Sequence, residues 1–439
     1  MIIQHATIVN EGEQYEGSLL VQDGIITRIA RGEEIHLEGE EEFDAQGGLL
    51  LPGVIDDHVH MRDPGLTHKA TMDTETRAAA AGGVTTVMDM PNVVPQTTTN
   101  ALLQERYAMA ASRCHVNYAF YLGATNDNMD EILQVDPQRV PAIKLFMGSS
   151  TGNMLVDDEK QLRQIFEQSP LPIMTHCEDT ARINQRMSEC QQLHGDDPEV
   201  KYHPTIRDAE ACYRSTALAV QLAKETGARL HVAHLTTARE LDLFTAKDSN
   251  ITAEACVAHL IFTDKDYDRL GTRIKCNPAV KDEADRQALR KALADGRIYV
   301  VGTDHAPHLL SEKEGGAKKA VSGMPMVQFS LITMLELVDE GVLTLERMTE
   351  LMCHHPAKLF QLSQRGYIRE GYKADLVLVK RGEPWTITTD TIQSLCGWSP
   401  LEGSTHTWRV ASTWINGQQV WDGKTIQEGV YGEPVLFRC

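Results

Sequence analysis

LLLPGVIDDHVHMRDPG, residues 49–65, decides how this chain folds. An apolar run, Leu49 to Leu51, meets a Pro52-Gly53 turn, and a short hydrophobic segment then carries His58, Val59 and His60. If residues 54–60 form a strand, its two-residue period turns His58 and His60 to one face and Val59 to the other. Two adjacent imidazoles are half of a metal site. With 17 histidines in 439 residues, however, a His-x-His arises by chance roughly once per chain. The pair gains weight from Lys144, His176, His234 and Asp304, which also stand at the C-terminal ends of short apolar runs.

Outward from this stretch, residues 51–365 alternate apolar runs with helical segments. The runs are VIDDHVH (54–60), VTTVMDM (84–90), NYAFYLGAT (117–125), AIKLFM (142–147), PIMTHCE (172–178), RLHVAHLT (229–236), ITAEAC (251–256) and IYVVGTDHAP (298–307). Helix-like segments such as DTETRAAAAGG, NALLQERYAMAAS, DEKQLRQIFEQS, DAEACYRSTALAVQLAKETG and DEADRQALRKALADG lie between them, several ending in glycines suited to C-caps. Eight strands alternating with helices predict an α/β fold of the (β/α)8 TIM-barrel type, in which chemistry gathers at the C-terminal ends of the strands. A doubly wound open sheet is the alternative, but the first strand-helix junction has no G-x-G-x-x-G loop.

Residues 1–50 and 366–439 read differently. Alternating segments such as SLLVQDGIITRIA, YKADLVLVK and WRVASTWINGQQVW, the last with a hairpin turn at Asn416-Gly417, predict short antiparallel strands. Neither end can bury a core alone, so the two are expected to build one small β-sandwich domain, discontinuous in sequence, around the barrel of 51–365.

A net charge of −20 argues against nucleic acid as a partner and against attraction to anionic membranes. No apolar run approaches the roughly 18 residues of a spanning helix, and the N-terminus lacks the pattern of a signal peptide. Nine scattered cysteines without a Cys-x-x-Cys fit reduced thiols, and a cytoplasmic location is expected.

In a barrel, His58, His60, Lys144, His176, His234 and Asp304 converge at one mouth. Imidazole and carboxylate suit a borderline divalent ion, Zn²⁺ first, with Co²⁺ and Mn²⁺ also accepted by such ligands. Lys144 is the odd member. An isolated strand lysine ordinarily keeps its head in solvent. A charged ammonium beside metal ions is electrostatically unfavourable. Buried near cations, a lysine loses its proton, and the free amine can add CO₂ to give an anionic carbamate that bridges two metals. Two metals some 3.5–4 Å apart would polarise a carbonyl and make hydroxide from water at neutral pH. Asp304, a ligand with a free oxygen, is then the natural proton shuttle to a leaving nitrogen, which makes the chemistry amide hydrolysis or its reverse.

The set PGVIDDHVHMRDPG, AGGVTTVMDMPN, AIKLFMG, THCE, VAHLTT and GTDHAPH resembles the amidohydrolase superfamily and, within it, the dihydroorotases of many bacteria, over residues 50–310. The resemblance implies one metal held by His58, His60 and Asp304, a second by His176 and His234, and N6-carboxylated Lys144 as the bridge. It implies reversible hydrolysis of the cyclic amide of L-dihydroorotate to N-carbamoyl-L-aspartate, with Asp304 as catalytic shuttle. Arg62 resembles the guanidinium that pairs the substrate carboxylate, with Asn92 and His308 as its neighbours and Asn277 facing the ring. Two stretches depart from the family pattern: Ala279, Val280 and Lys281 follow Asn277-Pro278, and EACVAHL (254–260) keeps only His259 and Leu260. Both departures fall on the floor of the substrate pocket.

The same metals would serve a hydantoinase or dihydropyrimidinase, or an allantoinase, whose rings lack the carboxylate, so Arg62 discriminates. A non-catalytic barrel scaffold is the reading of another class. A homodimer follows from base rates, and the resemblance raises an association with aspartate transcarbamoylase. Asp89 is expected to be structural, and the His354-His355 pair to mark a helix end before Pro356. Two segments, 148–157 and 308–323, are candidate covers of the site, the second placing Lys313, Lys318 and Lys319 near the mouth, expected as solvated loop lysines, with attraction of a dicarboxylate as the other reading.

Overall fold

In the computed structural model, which describes residues 1–148, 154–248 and 250–439, the N-terminal strands are β1 (Ile2–Asn10), β2 (Glu13–Gln22), β3 (Ile25–Arg31), β4 (Glu42–Asp44) and β5 (Leu49–Pro52). β1, β2 and β3 are joined by two-residue turns at Glu11-Gly12 and Asp23-Gly24, where both central residues take positive φ, as tight hairpins of this hand require. β5 passes into β6 (Val54–Val59) through Gly53. A Cβ at residue 53 would stand 2.1 Å from Thr85 Oγ1. Only glycine lets the chain slip between the two layers here.

Strands β6, β7 (Val84–Asp89) and β8 (Asn117–Phe120) form one parallel sheet. A second parallel sheet holds β9 (Leu122–Gly123), β10 (Ile143–Phe146), β11 (Ile173–His176), β12 (Leu230–Val232), β13 (Ile251–Cys256) and β14 (Val300–Gly302), paired in that order. Every residue of these nine strands is buried, as befits a parallel sheet covered on both faces and as their unbroken apolar runs foretold. Tyr121 alone separates β8 from β9. Beyond the end of β14, His305 makes a parallel bridge with Val59, and its carbonyl accepts the His60 N–H at 2.7 Å.

The predicted helices form at Met72–Ala81, Asn100–Ala110, Glu159–Gln168, Ala209–Thr226 and Glu283–Asp295. Side chains of Thr71, Thr99, Asp158, Asp208 and Asp282 each accept an N-terminal backbone N–H, replacing an intrahelical bond the first turn cannot make. Gly227 and Gly296 end two of them with left-handed φ. His354 and His355 do not end a helix. Backbone turns continue from Glu350–His354 into the helix His355–Phe360, because Pro356 stands in its first turn, where the missing N–H costs nothing.

The C-terminal strands β15 (Leu376–Thr386), β16 (Thr405–Ile415) and β17 (Gln418–Trp421) join the N-terminal ones in one eight-stranded sheet, in the order β17-β16-β15-β5-β1-β2-β3 with β4 paired to β1. The Asn416-Gly417 hairpin forms as expected, both residues at positive φ. The tail then returns to the parallel strands: Pro434 bridges Tyr118, and Val435 and Phe437 are buried with Ile55, Val300 and Phe360. Among the described residues no helix is long and apolar enough to cross a membrane.

Candidate metal centre and anion cradle

A cavity of about 570 Å³ opens at the C-terminal ends of the parallel strands. His58, His60, Lys144, His176, His234 and Asp304 all line it, as do Arg62, Asn92, Asn277 and His308. The ten residues singled out in the sequence therefore share one space, although they span 251 positions from His58 to His308. His58, Lys144 and His176 lie on strands, while His60, His234 and Asp304 fall within two residues beyond strand ends. Arg62, His234 and Asp304 have φ of 62°, 38° and 48°. Non-glycine residues held in the left-handed region store strain, which elsewhere collects where side chains must be aimed.

The rings pack closely. Centroids of His58 and His60 are 5.5 Å apart, those of His58 and His234 5.2 Å, and those of His176 and His234 4.7 Å. Asp304 Oδ1 lies 3.0 Å from His60 Nε2 and 3.3 Å from His58 Nε2. His176 Nδ1 lies 2.9 Å from His234 Nε2. Ligand atoms of His58, His234 and Asp304 all fall within 4.8 Å of one another.

Each outer nitrogen of three rings is fixed by an oxygen. His58 Nδ1 meets Glu254 Oε1 at 3.0 Å, His60 Nδ1 meets Asn92 Oδ1 at 2.8 Å, and His176 Nε2 meets Glu178 Oε2 at 2.9 Å. Such pairing sets the tautomer and turns the other nitrogen, with its lone pair, inward, which is how metal-ligating histidines are held. Glu178 is itself clamped by Arg207, and Glu254 Oε1 also accepts the His234 N–H at 2.8 Å.

Lys144 points into this cluster. Its Nζ is buried with no hydrogen-bond partner among the described residues, as is His234 Nδ1, and Nζ sits 5.1 Å over the Phe146 ring. Burial pulls the Lys144 ammonium below its ordinary range. Burial likewise pushes His60 down to about 4. For Asp304 burial pushes upward, but His58, His60 and Lys144 outweigh it and hold the carboxylate below its usual range. Orphaned buried nitrogens beside inward-turned imidazoles and a carboxylate are costly unless something shares their electrons. The donor set fits a divalent ion.

On the other side of the cavity, Arg62 is buried, its Nε donating to the Pro307 carbonyl at 3.2 Å. The His308 ring lies between two cations: Nε2 is 2.9 Å from an Arg62 terminal nitrogen and Nδ1 is 3.1 Å from Lys69 Nζ. Asn92 spends its oxygen on His60, which leaves its amide nitrogen to meet a ligand. Asn277 Oδ1 lies 3.1 Å from His203 Nε2. Asp89, expected to be structural, accepts the Met61 N–H at 2.9 Å and pairs with buried Arg106.

Sequence reading missed Glu254, Glu178 and Lys69. The first two were visible as acids inside apolar runs, a signal of a buried partner. Lys69 carried no signal, since LTHKAT reads as an ordinary loop. Lys313 is a correction. It is not a solvated lysine but is 3% exposed, with Nζ donating to the carbonyls of Lys275, Val321 and Gly323 at 3.1, 2.7 and 2.7 Å. Those acceptors belong to two connecting segments whose closeness the sequence does not display. Lys318 and Lys319 are exposed, as expected. Of the other candidate cover, 148–157, residues 149–153 lie outside the described residues.

Residues 49–420 match the family model described as the amidohydrolase family, and the chain belongs to that family. Nearer in, it is 36% identical to a dihydroorotase of Halobacterium salinarum over 393 residues, covering 89% of this chain and 90% of that one. It is 30% identical to an allantoinase of Bacillus velezensis, covering 99% of each. Among solved structures, the L-hydantoinase (dihydropyrimidinase) of Arthrobacter aurescens superposes with a TM-score of 0.93 at 28% identity, covering 99% of both chains.

Proposed function

We propose that this protein is a dihydroorotase, acting reversibly on the cyclic amide of L-dihydroorotate to give N-carbamoyl-L-aspartate. The observation that carries the reading is the pairing, across one cavity, of the histidine-aspartate cluster with a wall of Arg62 and His308, the latter backed by Lys69. In a chain of net charge −20, a buried cationic wall is there to meet a specific anion. The matches to dihydroorotases agree with it.

The fold inferred with this activity is a (β/α)8 barrel closed through Tyr121 on one side and the Val59–His305 bridge on the other. It is flanked by a sandwich domain of residues 1–50 and 366–439, with 51–365 as the catalytic part. Two divalent ions, Zn²⁺ by ligand type, would be held by His58, His60 and Asp304, by His176 and His234, and by a carboxylated Lys144 between them. When bound they supply Lewis-acid polarisation of the amide carbonyl and a water-derived nucleophile at neutral pH.

The chain's own residues do the rest. Arg62 and His308 hold the ring carboxylate, a bidentate guanidinium being suited to that geometry. Asn92 and Asn277 set the ring's orientation. Both imidazole contacts to Asp304 run to Oδ1, so Oδ2 is available to take the proton of the attacking water and pass it to the departing ring nitrogen. Cyclisation reverses these steps.

The nearest competing reading, a hydantoinase or allantoinase, is favoured by the structural likeness, and its rings carry no carboxylate. Parallel assays on dihydroorotate, hydantoin, dihydrouracil and allantoin separate the two. Arg62→Met is expected to lower turnover of dihydroorotate by at least about a hundredfold, the loss of a charge-assisted pair, with bound metal unchanged. Retained turnover, or a preference for hydantoin or allantoin, would exclude the dihydroorotase reading.

A further inference from the structure

The His308 ring poses a proton-counting problem. Within hydrogen-bond distance both of its nitrogens face groups that can only donate, the Arg62 guanidinium at Nε2 and the Lys69 ammonium at Nδ1, while the Glu312 carboxylate stands farther off, its Oε2 3.6 Å from Nδ1. A neutral imidazole offers one lone pair and one N–H, so one cation is accepted and the other meets a hydrogen. The residue is closely held: Trp398 Nε1 donates to the His308 carbonyl at 2.7 Å, and a Cβ at Gly323 would stand 2.9 Å from His308 Cδ2, so the chain at 323 runs close beside the ring.

Lys69 is better placed to take the lone pair. Its ammonium is fixed by Glu312 Oε1 at 2.7 Å, and Glu312 Oε2 is held by the Leu309 N–H at 3.0 Å. The lysine is 9% exposed and has no other side-chain partner among the described residues. Arg62, in contrast, keeps further N–H donors for the cavity it lines.

We propose that Lys69 is a positioning residue for substrate selection: by donating to Nδ1 it keeps the His308 hydrogen on Nε2, so that His308 and Arg62 present converging donors to one carboxylate. This rests on the dihydroorotate reading above and adds to it a residue that acts through His308. Without an anion, Nε2–H and the guanidinium repel one another. A carboxylate that accepts from both removes the repulsion, whereas an uncharged ring leaves it in place. Specificity for an anionic ring is thus built into a preorganised donor clash. Without Lys69 the hydrogen is free to move to Nδ1, Nε2 accepts from Arg62, and the two groups satisfy each other rather than the substrate.

The test uses the full-length, metal-loaded protein. Nitrogen NMR of ¹⁵N-histidine-labelled protein, with the His308 signals identified by their loss in His308→Asn, reads the tautomer directly. The expected result is Nε2–H in the wild type. Lys69→Met is expected to raise KM for dihydroorotate by about tenfold or more, with kcat within about threefold and metal content unchanged. Lys69→Gln retains a neutral donor to Nδ1 and is expected to stay within about threefold of wild type, which separates the tautomer from the charge. An Nδ1–H tautomer in the wild type, an unchanged KM in Lys69→Met, or equal impairment of both variants would overturn the inference. Should Lys69→Met fail to fold, the wild-type tautomer and Lys69→Gln still decide. A wild type inactive on dihydroorotate would remove the substrate reading and this inference together, whereas an active wild type failing any of these tests removes the inference alone.

Discussion

Glu254 shows what a single carboxylate can hold in place. One oxygen, Oε1, accepts from His58 Nδ1 and from the His234 backbone N–H, so two of the proposed metal ligands are aimed by the same atom. Burial would push this acid up, but His58, hydrogen-bonded to it, holds it below the usual carboxylate range. Glu254→Gln keeps the shape but removes the charge that favours a hydrogen on Nδ1. The expected outcome is a metal affinity lower by about 10–100-fold, read by metal content after dialysis against graded chelator, with the fold retained. The six proposed ligands were legible because each closes an apolar run, a pattern of type and position. Glu254 stood in the same kind of run. Its role depends on a neighbour 196 residues away, and no local pattern states that.

At the scale of elements, the segment 308–323 was expected as a cover because it follows the strand leading to Asp304, and Val321, Ser322 and Gly323 line the cavity. Its fixing was not legible. Asp197 accepts the N–H groups of Gly316, Lys318 and Lys319, and Lys313 pins the other side through three carbonyls. The segment is therefore bolted at two places in the described structure. Lys313→Met leaves three carbonyls without their donor and is expected to cost about 1–3 kcal/mol, seen as a lower unfolding midpoint. Burial also pulls Lys313 down to about 7, against an ordinary lysine value of about 10.4 in the unfolded chain. Between those two values the unfolded chain binds a proton that the folded chain has released, so the contribution of Lys313 to stability rises with pH across that window. The gap between wild-type and Lys313→Met midpoints is expected to be wider at pH 9 than at pH 7. A gap that does not widen would mean that the ammonium stays charged in the folded protein.

Across the whole molecule, the joining of the two chain ends was legible from their shared alternation and from the inability of either to bury a core. The return of the tail was not, since YGEPVLFRC is too short to show a period. Its apolar residues nevertheless reach the parallel strands: Val435 N–H donates to the Tyr118 carbonyl, Phe437 is fully buried, and Arg438 donates to the carbonyls of Pro137, Val140 and Pro141. Phe437 packs among Ile55, Ala142, Val300 and Phe360, near the starting residues of β6, β10 and β14, whereas the cavity lies where the strands finish. Sealing one end and reacting at the other are thus separate tasks for the same strands. Phe437→Ala is expected to cost about 3–5 kcal/mol through lost burial and the void it leaves. Because Phe437 is not among the residues that line the cavity, metal content and KM are expected to stay at wild-type values below the new unfolding midpoint. Loss of bound metal at temperatures where the variant is still folded would show instead that the packed end and the reactive end respond as one unit.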